Sequence, residues 1–318
     1  MALVETELPE PREGELLVRN TLMSVDPYMR GRMNDVKSYV PPFVLDAPME
    51  GQAVGVVIAS RAPDVPQGAT VRHMFGWRDA AVAHAAAFEV LDLALAPAEA
   101  YLGILGTTGF TAWVGLFEIG RLKAGETIFI SGAAGGVGSA AGQFAKLHGA
   151  RAIGSAGTVE KAEYLRRTLG FDDAFTYRDG DVGAKLATAA PDGIDVYFDN
   201  VGGMQLEAAL SALKPFGRSV ECGMISQYNE SQPGPRNLAL VVGKRIRMQG
   251  FIILDHGSSY PTFLAEAAPA LRDGRLHDPL TVVDDLESAP AAFIDMLHAG
   301  SAHLGKLLIR LTPSGAAE

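Results

Sequence analysis

The 318-residue chain has one cysteine, Cys222, and seven histidines. A single cysteine excludes a disulfide within the chain and any zinc site that needs two or more thiolates. The histidines are scattered, and none lies four residues from another in a metal-binding pattern. The sequence also lacks a Gly-x-Ser-x-Gly nucleophile elbow and a Walker loop. We therefore expect no metal site.

Basic residues are the second scarcity, because 27 Lys and Arg stand against 37 Asp and Glu, for a formal net charge of −10. This acidity argues against nucleic-acid partners and an anionic membrane surface. The uncharged stretches 100–117 and 127–145 are long enough to span a bilayer, but their glycines, serines and threonines fit a soluble βαβ reading better. The N-terminus lacks the apolar run of a signal peptide. We expect a cytoplasmic protein.

The hydrophobic content and the predicted strands and helices indicate two domains of α/β class. Hydrophobic residues make up 48% of the chain, which is enough for a sizeable core. The first hundred residues are β-rich, with strands predicted at 15–20, 51–60 and 70–74. From Gly106, strands and helices alternate, as in a doubly wound parallel sheet covered on both faces. Predicted strands lie at 126–131, 150–154, 193–200, 218–222 and 247–253, and predicted helices at 109–119, 137–148, 159–169 and 204–213.

The strongest local pattern is a glycine cluster between a predicted strand and a predicted helix. Strand residues 128–131 are followed by Gly132-Ala-Ala-Gly-Gly-Val-Gly138. Missing side chains let a pyrophosphate approach the backbone, and a helix N-terminus offers free N–H groups. Gly132 and Gly135 are three residues apart, so the strict G-x-G-x-x-G is not met, and an ordinary glycine-rich turn is the alternative. The strand–turn–helix context favours dinucleotide binding.

The end of the second strand indicates which dinucleotide binds. An NAD site places Asp or Glu about 20 residues after the glycines, where it binds the ribose 2′-OH. Here the strand ends in Ile153-Gly-Ser-Ala-Gly-Thr158 without an acid, and Lys161 follows in the next helix. A neutral strand end beside a cation suits a 2′-phosphate, so NADP(H) is predicted. The alternative is a solvated helix lysine whose charge Glu160 offsets.

Three further strand ends fall at the edge where a doubly wound sheet binds its ligand. They are 199–203, 222–228 and 251–253. Glycines there permit close approach to a sugar or nicotinamide, and Asn200 and Tyr228 offer hydrogen bonds. Cys222 is explained more simply as a small packing residue than as a nucleophile.

Several segments together resemble one known family. They are the segments 24–33 (SVDPYMRGRM), 37–42 (KSYVPP), 109–112 (GFTA), 132–138, 197–203 (YFDNVGG), 222–229 (CGMISQYN) and 304–306 (LGK). With them the chain resembles the zinc-free branch of the medium-chain dehydrogenase/reductase superfamily. The closest group is that of prostaglandin reductase, leukotriene hydroxydehydrogenase and curcumin reductase.

The resemblance implies a GroES-like β-rich catalytic domain, built from residues 1–105 and 281–318, and a Rossmann NADP-binding domain at 106–280. It implies a homodimer and NADPH-dependent reduction of a carbon–carbon double bond conjugated to a carbonyl. In the catalytic role it implies Tyr228, with Tyr28 as a second candidate that could equally be structural. The implied cofactor contacts are Gly135, Gly136, Val137, Gly138, Lys161, Tyr177, Asn200, Cys222, Gly223, Ile225, Ser226, Tyr228, Phe251, Ile252, Ile253 and His303.

The chain departs from the family pattern at some positions. Where zinc-dependent relatives have a ligand histidine, this chain has Met49-Glu50-Gly51. The family usually has Asn before Leu-Gly-Lys, and His303 stands there, which puts that cofactor contact in doubt. Relatives also usually have a first strand ahead of Val4-Glu-Thr6, so either this chain has lost it or its start codon is misplaced.

Two other functions remain open at this point. A quinone reductase from a neighbouring zinc-free branch would use the same cofactor site with a roomier pocket. A non-catalytic protein of the same fold would bind NADPH and turn over nothing. Activity on enones, on quinones or on neither distinguishes the three.

Overall fold

The computed structural model describes residues 1–230, 232–298 and 301–311, and these residues form a mixed α/β fold. They divide into two compact units. The first unit contains Met1–Gly103, Leu280–His298 and the segment from Leu307, and the second contains Ile104–Pro279 and the segment that ends at Lys306. The expected fold class, a β-rich domain plus a doubly wound parallel-sheet domain, is confirmed.

The first unit is built on a seven-stranded mixed sheet in the order β12-β13-β1-β2-β3-β5, with β4 also paired to β1. The pairs of β1 with β2, β4 and β13, and of β3 with β2 and β5, are antiparallel. Two short helices, α1 (Tyr28–Arg32) and α9 (Ala289–Met296), accompany it. The strands are β1 (Glu15–Ser24), β2 (Ala53–Ser60), β3 (Thr70–His73), β4 (Ala80–His84), β5 (Glu89–Val90), β12 (Leu280–Asp284) and β13 (Lys306–Arg310).

Strand β1 contributes side chains to two hydrophobic clusters of this unit. Leu16 and Val18, near its start, are fully buried against Val57 and Val71. Met23, near its end, belongs to a second cluster that contains buried side chains of α1, α9 and β13. The register of β1 against β2 shifts after Leu17 and again after Asn20, so one long strand can turn its apolar side chains to both clusters.

The second unit is built on a six-stranded parallel sheet in the order β11-β10-β9-β6-β7-β8. The order reverses between β6 and β9, and an open α/β sheet binds its ligand at such a switch point, beyond the carboxyl ends of the strands. The strands are β6 (Thr127–Ile130), β7 (Arg151–Ala156), β8 (Asp173–Thr176), β9 (Ile194–Asp199), β10 (Leu213–Glu221) and β11 (Arg247–Gly250). The helices are α2 (Thr107–Val114), α3 (Gly136–Leu147), α4 (Val159–Arg167), α5 (Val182–Ala189), α6 (Gly203–Ala212), α7 (Ala239–Lys244) and α8 (Tyr260–Arg272).

The sequence prediction and the structure differ mainly at element ends. The helix predicted at 109–119 begins at Thr107 and changes into a π-helical turn at Gly115–Ile119. The strand predicted at 247–253 ends at Gly250, because a 3₁₀ segment begins at Ile253. Among the described residues, no helix is both long enough and apolar enough to cross a membrane.

An aromatic cluster holds α3, the helix that follows the glycine turn, against its neighbours. Phe263 of α8 is fully buried, with its ring centroid 6.0 Å from that of Phe144 of α3 and 5.3 Å from that of Phe110 of α2. Tyr260 adds an edge-to-face contact to Phe110 at 5.2 Å. These contacts pack α3 against α2 and α8 within the second unit.

Replacing Phe263 by alanine removes a fully buried ring, and we expect a loss of about 3–5 kcal/mol in the free energy of unfolding. The matched control is Phe216→Ala, because Phe216 is 67% exposed and its ring lies 4.5 Å below the Arg245 guanidinium. Its loss costs about 1 kcal/mol or less. Denaturant unfolding of both variants measures the difference, and equal losses would contradict the packing described for α8.

Candidate cofactor site

The glycine turn ends in an uncapped helix N-terminus. Helix α3 begins at Gly136, its cap residue Gly135 is extended, and neither a side-chain cap nor an acid occupies its first turn. Among the described residues, no backbone or side-chain acceptor takes the N–H groups of Val137 or Gly138. A helix N-terminus with free N–H groups and no neighbouring carboxylate attracts an anion.

Glycine is present at positions 138 and 135 of this turn for two different physical reasons. A Cβ at Gly138 would lie 2.5 Å from the Gly132 carbonyl oxygen, so the tight strand–helix packing requires glycine. A Cβ at Gly135 would meet only that same oxygen, at 3.4 Å, which is close to an ordinary contact. The chain itself therefore hardly restricts position 135, and glycine there leaves room for a group that approaches the backbone from outside.

The segment before β13 lies directly beside the glycine turn. Gly305 donates its N–H to the Ala134 carbonyl at 2.8 Å, and it forms a parallel bridge with Gly135. Gly305 has a φ of +68°, and a Cβ there would lie 1.8 Å from the Pro279 carbonyl oxygen, so only glycine fits. The sequence contained this signal in its Leu304-Gly-Lys306 motif but gave no reason to place it against residues 134–136.

The predicted 2′-phosphate residues follow the ends of two neighbouring strands, Lys161 after β7 and Tyr177 after β8. The Tyr177 hydroxyl lies 3.5 Å from the point where a Cβ of Gly157 would stand. Lys161, in the first turn of α4, donates its Nζ to the Ser301 carbonyl at 2.7 Å. His303 is attached to the same corner, because its Nδ1 lies 2.7 Å from the Ser301 hydroxyl. Lys161 is thus a positioned cation, which the sequence alone left undecided against a solvated helix lysine.

Asp199, the last residue of β9, organises the centre of the edge. It is fully buried, and its Oδ1 accepts hydrogen bonds from the Ser131 hydroxyl (2.9 Å), the Tyr197 hydroxyl (2.7 Å) and two backbone N–H groups (2.8 Å each). The N–H donors belong to Val201 and Gly202, so this carboxylate shapes the turn that leads into α6. Sequence reasoning listed the segment 199–203 but assigned no role to Asp199.

Asn200 is fixed at the switch point by the neighbouring strand. Its Nδ2 donates to the Ser131 carbonyl at 2.8 Å, and its backbone N–H donates to the Ser131 hydroxyl at 2.9 Å. Ser131 follows β6 directly and precedes the glycine turn. The ends of β6 and β9 are therefore tied together through two side chains and two backbone groups.

The loop after β10 folds back on the same turn. Cys222 and Gly223 both donate backbone N–H groups to the Asp199 carbonyl, at 2.9 and 3.0 Å. Ile225 donates its N–H to the Asn200 carbonyl at 3.3 Å, and the Ser226 hydroxyl donates to the Val201 carbonyl at 2.6 Å. The structure thus brings the predicted residues of 222–228 to Asn200.

Tyr228 and Cys222 are the two side chains of this loop that could take part in chemistry. The Tyr228 hydroxyl lies 3.3 Å from the point where a Cβ of Gly223 would stand, so the ring lies back over its own loop. Burial, together with Asp199 and Glu221, raises the pKa of the Cys222 thiol to about 12. A thiol at that pKa holds almost no thiolate at neutral pH, so the packing interpretation of Cys222 is favoured.

Phe251, Ile252 and Ile253 follow β11 at the same end of the sheet. A Cβ at Gly115 would lie 3.0 Å from Cζ of Phe251, so the Phe251 ring packs against the π-helical turn. Ile252 precedes the 3₁₀ segment that Ile253 begins. The three residues are part-buried, and Phe251 uses its side chain for packing inside the unit.

Tyr28 belongs to the first unit and begins α1. It packs against the cluster that contains Met23, Met29 and Phe293. Burial, with a smaller contribution from Asp26, raises the pKa of its phenol well above the ordinary value. Tyr28 therefore keeps its proton at neutral pH, as a hydrogen-bond donor must, while its packing also gives it a structural role.

Within the described ranges, no group of three or more His, Cys, Asp or Glu side chains is placed to hold a metal ion. The donors at the strand ends are backbone N–H groups, a lysine and hydroxyls. Such a donor set suits phosphates and a sugar better than a cation.

Comparison with known proteins agrees with this geometry. Two family models match the chain: an N-terminal domain of oxidoreductase over residues 1–91 and a zinc-binding dehydrogenase over residues 136–268. The 2-alkenal reductase (NADP(+)-dependent) of Nicotiana tabacum is 39% identical over 97% of this chain and 90% of its own. The NADPH-dependent curcumin reductase of Escherichia coli strain K12 is 39% identical over 97% of this chain and 91% of its own.

Among solved structures, CurA from Vibrio vulnificus in complex with NADPH superimposes with a TM-score of 0.92. It is 39% identical and covers 98% of this chain and 94% of its own. Near-complete coverage in both directions, together with the identity, establishes common ancestry across both units. The chain belongs to the zinc-free branch of the medium-chain dehydrogenase/reductase superfamily, in the group of NADP-dependent oxidoreductases that includes the 2-alkenal and curcumin reductases.

Proposed function

We propose that this protein uses NADPH to reduce the carbon–carbon double bond of α,β-unsaturated aldehydes and ketones. The observation that carries the proposal is the pairing of two anion sites at one sheet edge. The uncapped N-terminus of α3 suits a pyrophosphate, and the corner of Lys161 and Tyr177 suits a 2′-phosphate. The relatives that share this fold over the whole chain include a 2-alkenal reductase, and a 2-alkenal is by definition a conjugated enal.

The residues at the sheet edge fit the cofactor. The N–H groups of Val137 and Gly138 would hold the pyrophosphate, and the open side of Gly135 leaves space for it. Lys161 and Tyr177 would bind the 2′-phosphate through charge and a hydroxyl donor. Asn200 and the loop 222–228 would position the ribose and the nicotinamide. When bound, NADPH supplies a hydride equivalent, which is the chemistry that the protein itself lacks.

The chain contributes stabilisation of charge during the reduction. When a hydride adds to the β-carbon of an enone, the electron pair of the double bond moves toward the carbonyl group. The product is an enolate, with negative charge on the former carbonyl oxygen. An O–H donor directed at that oxygen lowers the barrier, and one such donor contributes about 3–4 kcal/mol. Tyr228 and Tyr28 are the candidate donors. A proton from a tyrosine or from water then completes the saturated product at the α-carbon.

A turnover panel tests the proposal directly. NADPH oxidation is followed with an alkenal, an aryl enone and a quinone, each also with NADH. We expect turnover of the alkenal and the enone with NADPH, and much less with NADH. Turnover of the quinone alone would replace the proposal by a quinone reductase. Tight NADPH binding without turnover of any compound would indicate a non-catalytic protein.

Lys161→Ala tests the 2′-phosphate corner. A hydrogen bond to a charged group contributes about 1.5–3 kcal/mol, so we expect the KM for NADPH to rise roughly 10- to 150-fold. The kcat/KM with NADH, which has no 2′-phosphate, should change little. Lys123→Ala is the control, because Lys123 is exposed and precedes β6 at the opposite end of the sheet. A parallel loss with both cofactors would show that Lys161 only supports the fold.

Tyr228→Phe and Tyr28→Phe test the two donors separately. Removing the hydroxyl that faces the enolate should lower kcat about 10²- to 10³-fold with little change in the KM for NADPH. The other variant should keep most of its activity and change mainly the unfolding temperature. Steady-state kinetics and thermal unfolding of both variants assign the role, and full activity in both would exclude the two tyrosines as donors.

A further inference from the structure

Two acidic side chains lie together beneath the cofactor edge. Asp199 ends β9 and Glu221 ends β10, and the two are register partners across the parallel strands. In a parallel sheet, register partners project from the same face, so both carboxyl groups share one side of the sheet. Asp199 is near enough to raise the pKa of Glu221 through its charge and through a side-chain hydrogen bond.

Each carboxyl group has one satisfied oxygen and one buried oxygen that receives no donor. Oδ1 of Asp199 accepts four hydrogen bonds, and Oε1 of Glu221 accepts one from the Ser219 hydroxyl at 2.5 Å. Oδ2 of Asp199 and Oε2 of Glu221 are both buried, and neither meets an N–H or O–H group of the described residues. Two unsatisfied carboxyl oxygens on neighbouring residues are satisfied together by one proton placed between them.

Among the described residues, no Lys or Arg side chain contributes to the raised pKa of Glu221, so no cation there takes the place of that proton. The titratable groups that face the pair are the Tyr197 phenol and the Cys222 thiol, both neutral at pH 7. The remaining neighbours are the hydroxyls of Ser131 and Ser219. Burial and the proximity of Asp199 raise the pKa of Glu221 to about 7.

We propose that Asp199 and Glu221 share one proton, and that this protonated pair is a positioning device that makes NADPH binding stronger at low pH than at high pH. The inference rests on the proposed function, since it concerns the same cofactor edge. With the proton in place, the pair joins the ends of β9 and β10. Without it, two adjacent negative charges repel each other at the point where the loop 222–228 begins.

The charge of the pair affects NADPH binding because the pair supports backbone groups of the cofactor edge. The carboxylate of Asp199 shapes the turn 199–202, and its carbonyl receives the N–H groups of Cys222 and Gly223. NADPH is itself an anion, so its arrival favours the state of the pair that has one negative charge rather than two. By linkage, loss of the proton weakens binding by the same factor by which bound NADPH favours the proton.

Glu221→Gln is the decisive variant. The glutamine amide keeps the size of Glu221 and donates its N–H to Asp199 Oδ2 at every pH, so it imitates the protonated state permanently. The Kd of NADPH is measured between pH 7 and pH 9, above the second pKa of a phosphate monoester at about 6. In the unaltered protein the pair is half protonated at pH 7, so a coupling factor of about five, the lower end of the ordinary range, gives a rise in Kd of about threefold over this window.

The variant should bind NADPH with nearly the same Kd across the window and more tightly than the unaltered protein at pH 9. Asp192→Asn is the control, because it also removes one acid but lies exposed before the opposite end of β9. It should keep the pH dependence of the unaltered protein. A flat profile in the unaltered protein, or an unchanged slope in Glu221→Gln, would overturn the proposal.

Unfolding without cofactor examines the shared proton by itself. A carboxyl whose folded pKa is raised binds its proton more strongly in the folded state, so its contribution to stability is full below its unfolded pKa. That contribution falls as pH rises through about 7. Glu221→Gln should lose this slope and gain stability over the unaltered protein at pH 8. The infrared band of a protonated carboxyl should also be present in the unaltered protein at pH 6 and absent from the variant.

The binding experiment and the unfolding experiment distinguish failure of the proposed function from failure of the shared proton. If NADPH does not bind at any pH, the proposed function and the binding half of this inference are both wrong. If NADPH binds but the unfolding slope and the infrared band are unchanged in Glu221→Gln, the shared proton is wrong while the proposed function stands.

Discussion

The cofactor edge depends on the buried carboxylate of Asp199. Oxygen Oδ1 of this residue collects four hydrogen bonds from three segments of chain, and its carbonyl receives two more from the start of the loop 222–228. A buried carboxylate is costly unless donors surround it, so the arrangement either forms completely or not at all. The turn before α6, the anchor of Asn200 and the loop after β10 therefore adopt their positions together. The glycine turn and the Lys161 corner are built separately, on β6 and on β7 and β8.

Most of the second unit could be predicted from its sequence, because its signals are local. Strands such as β6 and β9 are short apolar runs that end in glycine or asparagine, and the glycine cluster lies between a strand and a helix. Elements with weaker signals were missed. Strand β4 reads as part of an alanine-rich tract, and alanine favours strands poorly. It forms because β1 offers an edge over five paired residues, from Glu15↔His84 to Arg19↔Ala80.

The sequence predicts residues of the candidate site but not the contacts among them. The motifs named Asn200, Lys161 and the loop 222–228, since each is a strand end or a helix start. Sequence could not show that Ser301 accepts from Lys161, because 140 positions separate them in the chain. Nor could it show that Glu221 faces Asp199. That contact depends on the register of β10 against β9, which only the folded sheet defines.

The proposed function depends on one step, the addition of hydride to the β-carbon of a conjugated carbonyl. NADPH carrying deuterium at C4, an alkenal substrate, and mass spectrometry with NMR of the product test this step. We expect a saturated aldehyde with deuterium at the carbon β to the carbonyl. An unsaturated alcohol with deuterium on the former carbonyl carbon would contradict it, because the protein would then be reducing the carbonyl group and the enolate would never form.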